Sequence, residues 1–206
     1  MSGNDNKKIN IEADMKTILE NFFDYAYDNG IEIYNEFSLQ HELGIYLRKI
    51  LSGKYKIQFE RNVSYFNINK NRIIKKEIDI VIIVQNKKYA IELKFPRNGQ
   101  YPEQMYSFIK DIKFSEQLKE NKFTKVFSFV LVDDKNFYEY NSSKKEKGIY
   151  SFFRNSKFNI KINKRITKPT GKTKESIILN KKYFTRWKNC KLFNNDKICK
   201  YYIIEN

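Results

Sequence analysis

The chain has 206 residues, with 40 Lys and Arg against 24 Asp and Glu, for a formal net charge of +16. That length suits one domain with a real hydrophobic core, and the charge favours a polyanionic partner, nucleic acid first, with the AT-rich coding implied by abundant Lys, Asn, Ile, Phe and Tyr as an alternative source of part of the basicity. The opening MSGNDNKKIN has no apolar leader, the longest apolar run ends at Val84 and is far too short to cross a bilayer, and no strongly amphipathic basic helix suggests a membrane surface; a cytoplasmic protein without a membrane partner is expected.

In chain order, Met15, Ile18, Leu19, Phe22, Phe23 and Ala26 recur at helical spacing over residues 11–29, and Gly30 supplies a stop. A second helix is predicted over 39–51, with Ser38 as N-cap and Leu39, Leu43, Tyr46, Leu47 and Ile50 as its apolar stripe. Glu42 lies inside it. Residues 55–68 read as a strand that bends towards a turn near NKNR. Two apolar strands around a short polar turn follow in KKEIDIVIIVQNKKYAIELKF, 75–95. Pro102 then suits the first turn of a helix carrying Met105, Phe108, Ile109, Ile112 and Leu118. KVFSFVLVDD, 125–134, reads as an interior strand. Beyond residue 134 the chain is polar, basic and broken by Pro169 and Gly171, and the end is predicted to return to the body as a helix near Trp187 and a final strand. Core residues 37–132 and a C-terminal elaboration, 135–206, are expected to form one domain. Cys190 and Cys199 stand without a second pair or a nearby His, so ordinary buried thiols are expected.

The hairpin carries the chemistry. Alternation places Glu92 and Lys94 on one face of their strand, and a turn centred on Asn86 and Lys87 sets residue 79 opposite 94 and 81 opposite 92. Asp79, Glu92 and Lys94 then share one surface, with the two acids on a diagonal of roughly 7 Å, within reach of one cation. On an exposed hairpin these would be an ordinary surface pair. Here Ile, Val, Ala and Leu surround them, and buried carboxylates that share one Lys need further positive charge.

Asp79, twelve intervening residues and Glu92-Leu93-Lys94, set between a helix and a helix–strand unit, resemble the PD-(D/E)xK nuclease superfamily. FPRNGQYPEQMYSFIKDIKFSEQL and FVLVDD are similar to small standalone bacterial members of it. Ile78 replaces the Pro of the motif. The resemblance implies an α/β fold with a restriction-endonuclease-like core, in which a central mixed sheet is flanked by helices in the order helix, three strands, helix, strand. It implies Mg²⁺, or Mn²⁺ in its place, held by Asp79 and Glu92 with the Leu93 carbonyl. Lys94 would hold or polarise the attacking water, and Glu42 would be a further ligand or a solvated helix residue. The activity implied is that of an endonuclease hydrolysing DNA, in restriction or defence, with repair, junction resolution or non-catalytic nucleic-acid binding as alternatives; cutting both strands is simplest with a homodimer.

Gln104 is a substrate or water contact or an exposed helix Gln, while Lys110 and Asp111 face the same cleft or form a surface charge pair, the commoner arrangement for such neighbours. His41 faces away from Glu42's side of the helix and is not read as a base. Residues 157–174 hold seven Lys and Arg, Lys161, Lys164, Arg165, Lys168 and Lys172 among them, without one acid; they track phosphates or form a solvated loop. Arg97, Arg154 and Arg186 are candidate backbone contacts, and Tyr183 and Trp187 are read as core.

Overall fold

The computed structural model describes residues 11–51, 53–140, 148–154, 165–171 and 175–206, with side chains from residue 15 onwards. Its elements are α1 (Ile11–Asp28), α2 (Glu36–Ile50), β1 (Lys56–Asn62), β2 (Glu77–Val84), β3 (Lys87–Lys94), α3 (Tyr101–Glu120), β4 (Lys125–Val132), α4 (Tyr150–Arg154), β5 (Arg165–Thr167), β6 (Ser176–Ile178), β7 (Lys188–Leu192) and β8 (Asn195–Glu205). Six strands form a mixed sheet in the order β1-β2-β3-β4-β8-β7, and β5 and β6 form a separate pair. Only β3 and β4 run parallel, because α3 carries the chain back between them; the other neighbours are antiparallel.

Helices cover both faces, as the doubly apolar central strands require. On one side Leu19, Phe22 and Phe23 of α1 and Leu39, Leu43 and Leu47 of α2 pack with Ile80, Ile91 and Phe129. On the other, α3 sets Phe108 and Ile112 against Val130 and Tyr202, and Phe114 and Leu118 against Val81 and Ala90. Among the described residues no helix is long and apolar enough to cross a membrane.

Three expectations shift. Asn35, not Ser38, caps α2: its side chain accepts the Ser38 N–H at 2.7 Å while Ser38 Oγ accepts the Asn35 N–H at 3.0 Å, a reciprocal capping box that starts the helix at Glu36. No helix forms at Trp187, which donates its indole N–H to the Phe153 carbonyl at 2.7 Å before the chain enters β7. The C-terminal segment therefore supplies two strands of the main sheet, β8 lying directly against β4. Cys190 and Cys199 face each other across β7 and β8 as free thiols, the first only half-buried; burial pushes the Cys199 thiol up to about 11.

The remaining C-terminal chain is tied to α3 by one buried acid. Glu116 Oε1 accepts the N–H groups of Asn180 and Lys181, at 2.7 and 3.0 Å, and the Tyr183 hydroxyl at 3.0 Å. Glu116→Ala removes the acceptor that these three donors share and is expected to cost about 1–3 kcal/mol, measurable as a lower denaturation midpoint. Gly44 of α2 lies against the Phe59 ring of β1 so closely that a Cβ would overlap it. Gly44→Ala is accordingly expected to cost about 1–3 kcal/mol through overpacking, with an unchanged denaturant slope.

Candidate active site

The β2–β3 turn is formed by Gln85 and Asn86, with Gln85 at φ +51°, and the ladder pairs Val84 with Lys87 through Ile80 with Ile91. The turn thus sits one residue earlier than expected, a register that, carried one step past the last ladder pair, sets Asp79 opposite Glu92 instead of Lys94. Since both turns contain two residues, the faces are preserved. The regular ladder ends at Ile80 and Ile91: the next available N–H, that of Leu93, donates to Asp79 Oδ2 at 2.6 Å. Alternation breaks at the same point. Ile80 and Ile82 face α1 and α2, whereas Ile78 joins Val81 on the α3 side. On β1, Glu60 adopts φ +47° beside this break, and Gln40 of α2 fills it, donating to the Asp79 carbonyl at 2.9 Å and to Glu60 Oε1 at 2.5 Å.

At this opened strand end the structure brings Asp79, Glu92 and Lys94 together and adds Lys75 and Glu36, which the sequence did not place there, and Asp111, for which a surface pair was the favoured expectation. Lys75, in the segment entering β2, pairs with Glu92 Oε2 and with Asp111 Oδ1, the latter at 2.8 Å. Asp111 is only 3% exposed, so the surface pair expected of Lys110 and Asp111 is not formed: Asp111 lies on the buried side of α3 with Phe108, Ile112 and Ser115, while Lys110 turns to Glu175 at 3.5 Å. Glu36, in the first turn of α2, accepts from Lys94 Nζ at 2.9 Å and from the Phe95 N–H at 3.0 Å. Lys94 Nζ also donates to the Leu93 carbonyl at 2.9 Å and stands 3.8 Å from Asp111 Oδ2.

Four acids, Asp79, Glu92, Asp111 and Glu36, thus face two ammonium groups, Lys75 and Lys94, a surplus of two negative charges if all are ionised. The strain shows in the proton affinities. Burial, opposed by Lys75, Lys94 and the Leu93 N–H, raises the Asp79 carboxyl to about 6. Burial and the neighbouring Asp79 push Glu92 well above the carboxylate range despite Lys75. For both lysines burial works against the charge, but the acids outweigh it and hold the ammonium forms. No hydrogen-bond donor among the described residues reaches Glu92 Oε1 or Asp111 Oδ2, although both are buried.

The other candidates separate from this cluster. Glu42 takes its contact from His41, at 3.1 Å, and the helix carboxylate beside Lys94 is Glu36, not Glu42. The Leu93 carbonyl points at the site, but Lys94 occupies it. Gln104 is half-buried and donates to Asn98 Oδ1 at 3.1 Å. Arg97 pairs with Asp133 and stacks on Phe95, and with Asp133 and Lys197 it lines two adjoining depressions of about 260 and 120 Å³ at the ends of β3 and β4. Arg165 and Lys168 lie on and just beyond β5, whose Ile166 packs in the α3-side core. Lys161, Lys164 and Lys172 lie outside the described residues.

Among the described residues no group of three or more His, Cys, Asp or Glu stands ready to hold a metal ion. In the acidic cluster the ammonium of Lys75 lies between Glu92 and Asp111. The carboxylates supply hard, anionic oxygens, two of them, Glu92 Oε1 and Asp111 Oδ2, without a hydrogen-bond donor, and such oxygens are the ligand type that Mg²⁺ and Mn²⁺ take. No protein-family model, curated protein or solved structure matches the chain.

Proposed function

We propose that this chain is a metal-dependent nuclease with a restriction-endonuclease-like core that hydrolyses DNA phosphodiester bonds. One observation carries the reading: Asp79, Glu92 and Lys94 meet Asp111 at a splayed strand end where buried carboxylates outnumber cations and two of their oxygens lack donors. The order α2, β1, β2, β3, α3, β4 supports it, as do the net charge of +16 and the concave surface beside Arg97.

Asp79, Glu92 and Asp111 are the residues that would hold the cation. When bound, a divalent ion supplies charge neutralisation at the scissile phosphate and lowers the pKa of its water. The chain's own contribution centres on Lys94. Asp111 and Glu36 keep it protonated and fix its direction, so its donors serve a phosphate oxygen or the attacking water without reorganising. Asp79, braced by the Leu93 N–H and, through its carbonyl, by Gln40, cannot rotate away without breaking the strand junction. Arg97, Arg165 and Lys168 offer phosphate contacts outside the cluster.

One observation favours a second reading, a nucleic-acid-binding protein without catalysis: Lys75 already supplies part of the positive charge that a metal would bring. Supercoiled, linear and branched DNA incubated with the protein in Mg²⁺, Mn²⁺ or chelator separates the two. Metal-dependent products from any of the three support the nuclease. Shifted but intact DNA under all conditions leaves only the binder.

A further inference from the structure

The segment carrying Lys75 is fastened independently of its ammonium group. The Ile74 N–H donates to Gln117 Oε1 at 2.9 Å, Gln117 donates in turn to the Arg72 carbonyl at 3.3 Å, and the Lys76 carbonyl accepts the Val63 N–H at 2.8 Å. Ile73 is buried in the α3-side core. The backbone at residue 75 therefore stays in place whether or not the side chain remains inside. That side chain passes the Phe114 ring, with Nζ 5.5 Å from its centroid, and is 23% exposed, whereas those of Glu92 and Asp111 are 0% and 4% exposed. The lysine side chain thus keeps a contact with solvent that the two acids lack.

We infer that Lys75 is a tethered competitor for the site's cation: its ammonium holds Glu92 and Asp111 together in the cation-free protein and swings outward when a divalent ion enters. The inference rests on the reading of these acids as a cation site, but not on DNA cleavage. One unit of positive charge shared between two carboxylates leaves Glu92 Oε1 and Asp111 Oδ2 without hydrogen-bond donors, the latter with only Lys94 at 3.8 Å. A divalent ion of the same reach serves more oxygens with twice the charge. Entry must first break two buried ion pairs, so Lys75 weakens the apparent cation affinity, and it prevents mutual repulsion of the acids while no cation is present.

Mn²⁺ binding to the full chain, followed by the paramagnetic resonance of the free ion and by thermal unfolding, tests this with Lys75→Met. The variant is expected to melt below wild type in chelator, to bind Mn²⁺ at least tenfold more tightly and to gain more from the ion on melting. Equal or weaker Mn²⁺ binding by the variant, or no binding to either protein, overturns the inference. Wild-type protein gives a second measurement that holds even if Lys75→Met does not fold. Acetylation with an amine-reactive ester, read by peptide mass against exposed Lys135, is expected to spare Lys75 in chelator and to modify it several-fold faster in Mn²⁺. Identical labelling in both conditions rejects the idea. Tightened Mn²⁺ binding without DNA products would leave the competitor standing and remove the nuclease; cleavage with no Lys75 effect would do the reverse.

Discussion

Lys94→Ala is expected to lower the rate of metal-dependent DNA cleavage by about 10²–10³-fold, the loss typical when a donor directed at developing charge is removed. The position allows the effect on chemistry to be separated from that on folding. Lys94 ends β3 with its side chain 18% exposed, and its partner Glu36 is 44% exposed, so after truncation Glu36 can return to water while keeping the Phe95 N–H. Asp111 keeps Lys75. The stability loss is expected to be modest, about 1–2 kcal/mol, or a few degrees in melting temperature. Initial rates on supercoiled plasmid together with thermal unfolding check both numbers. A variant that cuts as fast as wild type means that Lys94 is a structural ion-pair partner, and the nuclease reading loses its central residue.

The common face of Asp79, Glu92 and Lys94 was legible because side-chain parity survives any two-residue turn, even though the turn position was misjudged by one residue. Gln85, the first turn residue, takes the left-handed conformation, where the turn had been centred on Asn86 and Lys87. The central strands were legible from their Ile, Val and Phe content. Asp111 was ranked too low because adjacent opposite charges suggest a surface. Its spacing of three from Phe108 and four to Ser115 places it on the buried stripe of α3, a signal that was available. Glu36 was missed through the cap: with Ser38 taken as the first boundary residue, the helix began too late to include it. Lys75 left no signal, since nothing in a polar, irregular segment specifies that one ammonium among several turns inward. The final strand, β8, was legible in ICKYYIIEN, whereas β7 was hidden: it is an edge strand with mostly exposed side chains and carries no apolar alternation.

Asp79→Asn should raise the stability of the cation-free protein while abolishing cleavage. The folded protein holds the Asp79 proton to about 6, against an ordinary value of 3.8. The stability linked to that proton is fully present below the ordinary value and is lost as pH rises through about 6, because the folded state must then accommodate a buried, poorly compensated charge. By pH 7 the accumulated loss is up to about 3 kcal/mol. Asn carries no charge, and its side-chain oxygen still accepts the Leu93 N–H, so the variant avoids the loss and keeps the brace. In chelator at pH 7 its melting temperature is expected about 6–12 °C above wild type, with the difference vanishing near pH 4. Added Mn²⁺ should reverse the ranking, because the ion stabilises only a protein that still offers it the Asp79 carboxylate. Melting curves from pH 4 to 8, with and without the ion, test this prediction: a variant less stable than wild type at pH 7 in chelator would show that Asp79 is held by Lys75 and Lys94 as a stabilising partner. The cluster would then be a completed ion-pair network with no call for a further cation.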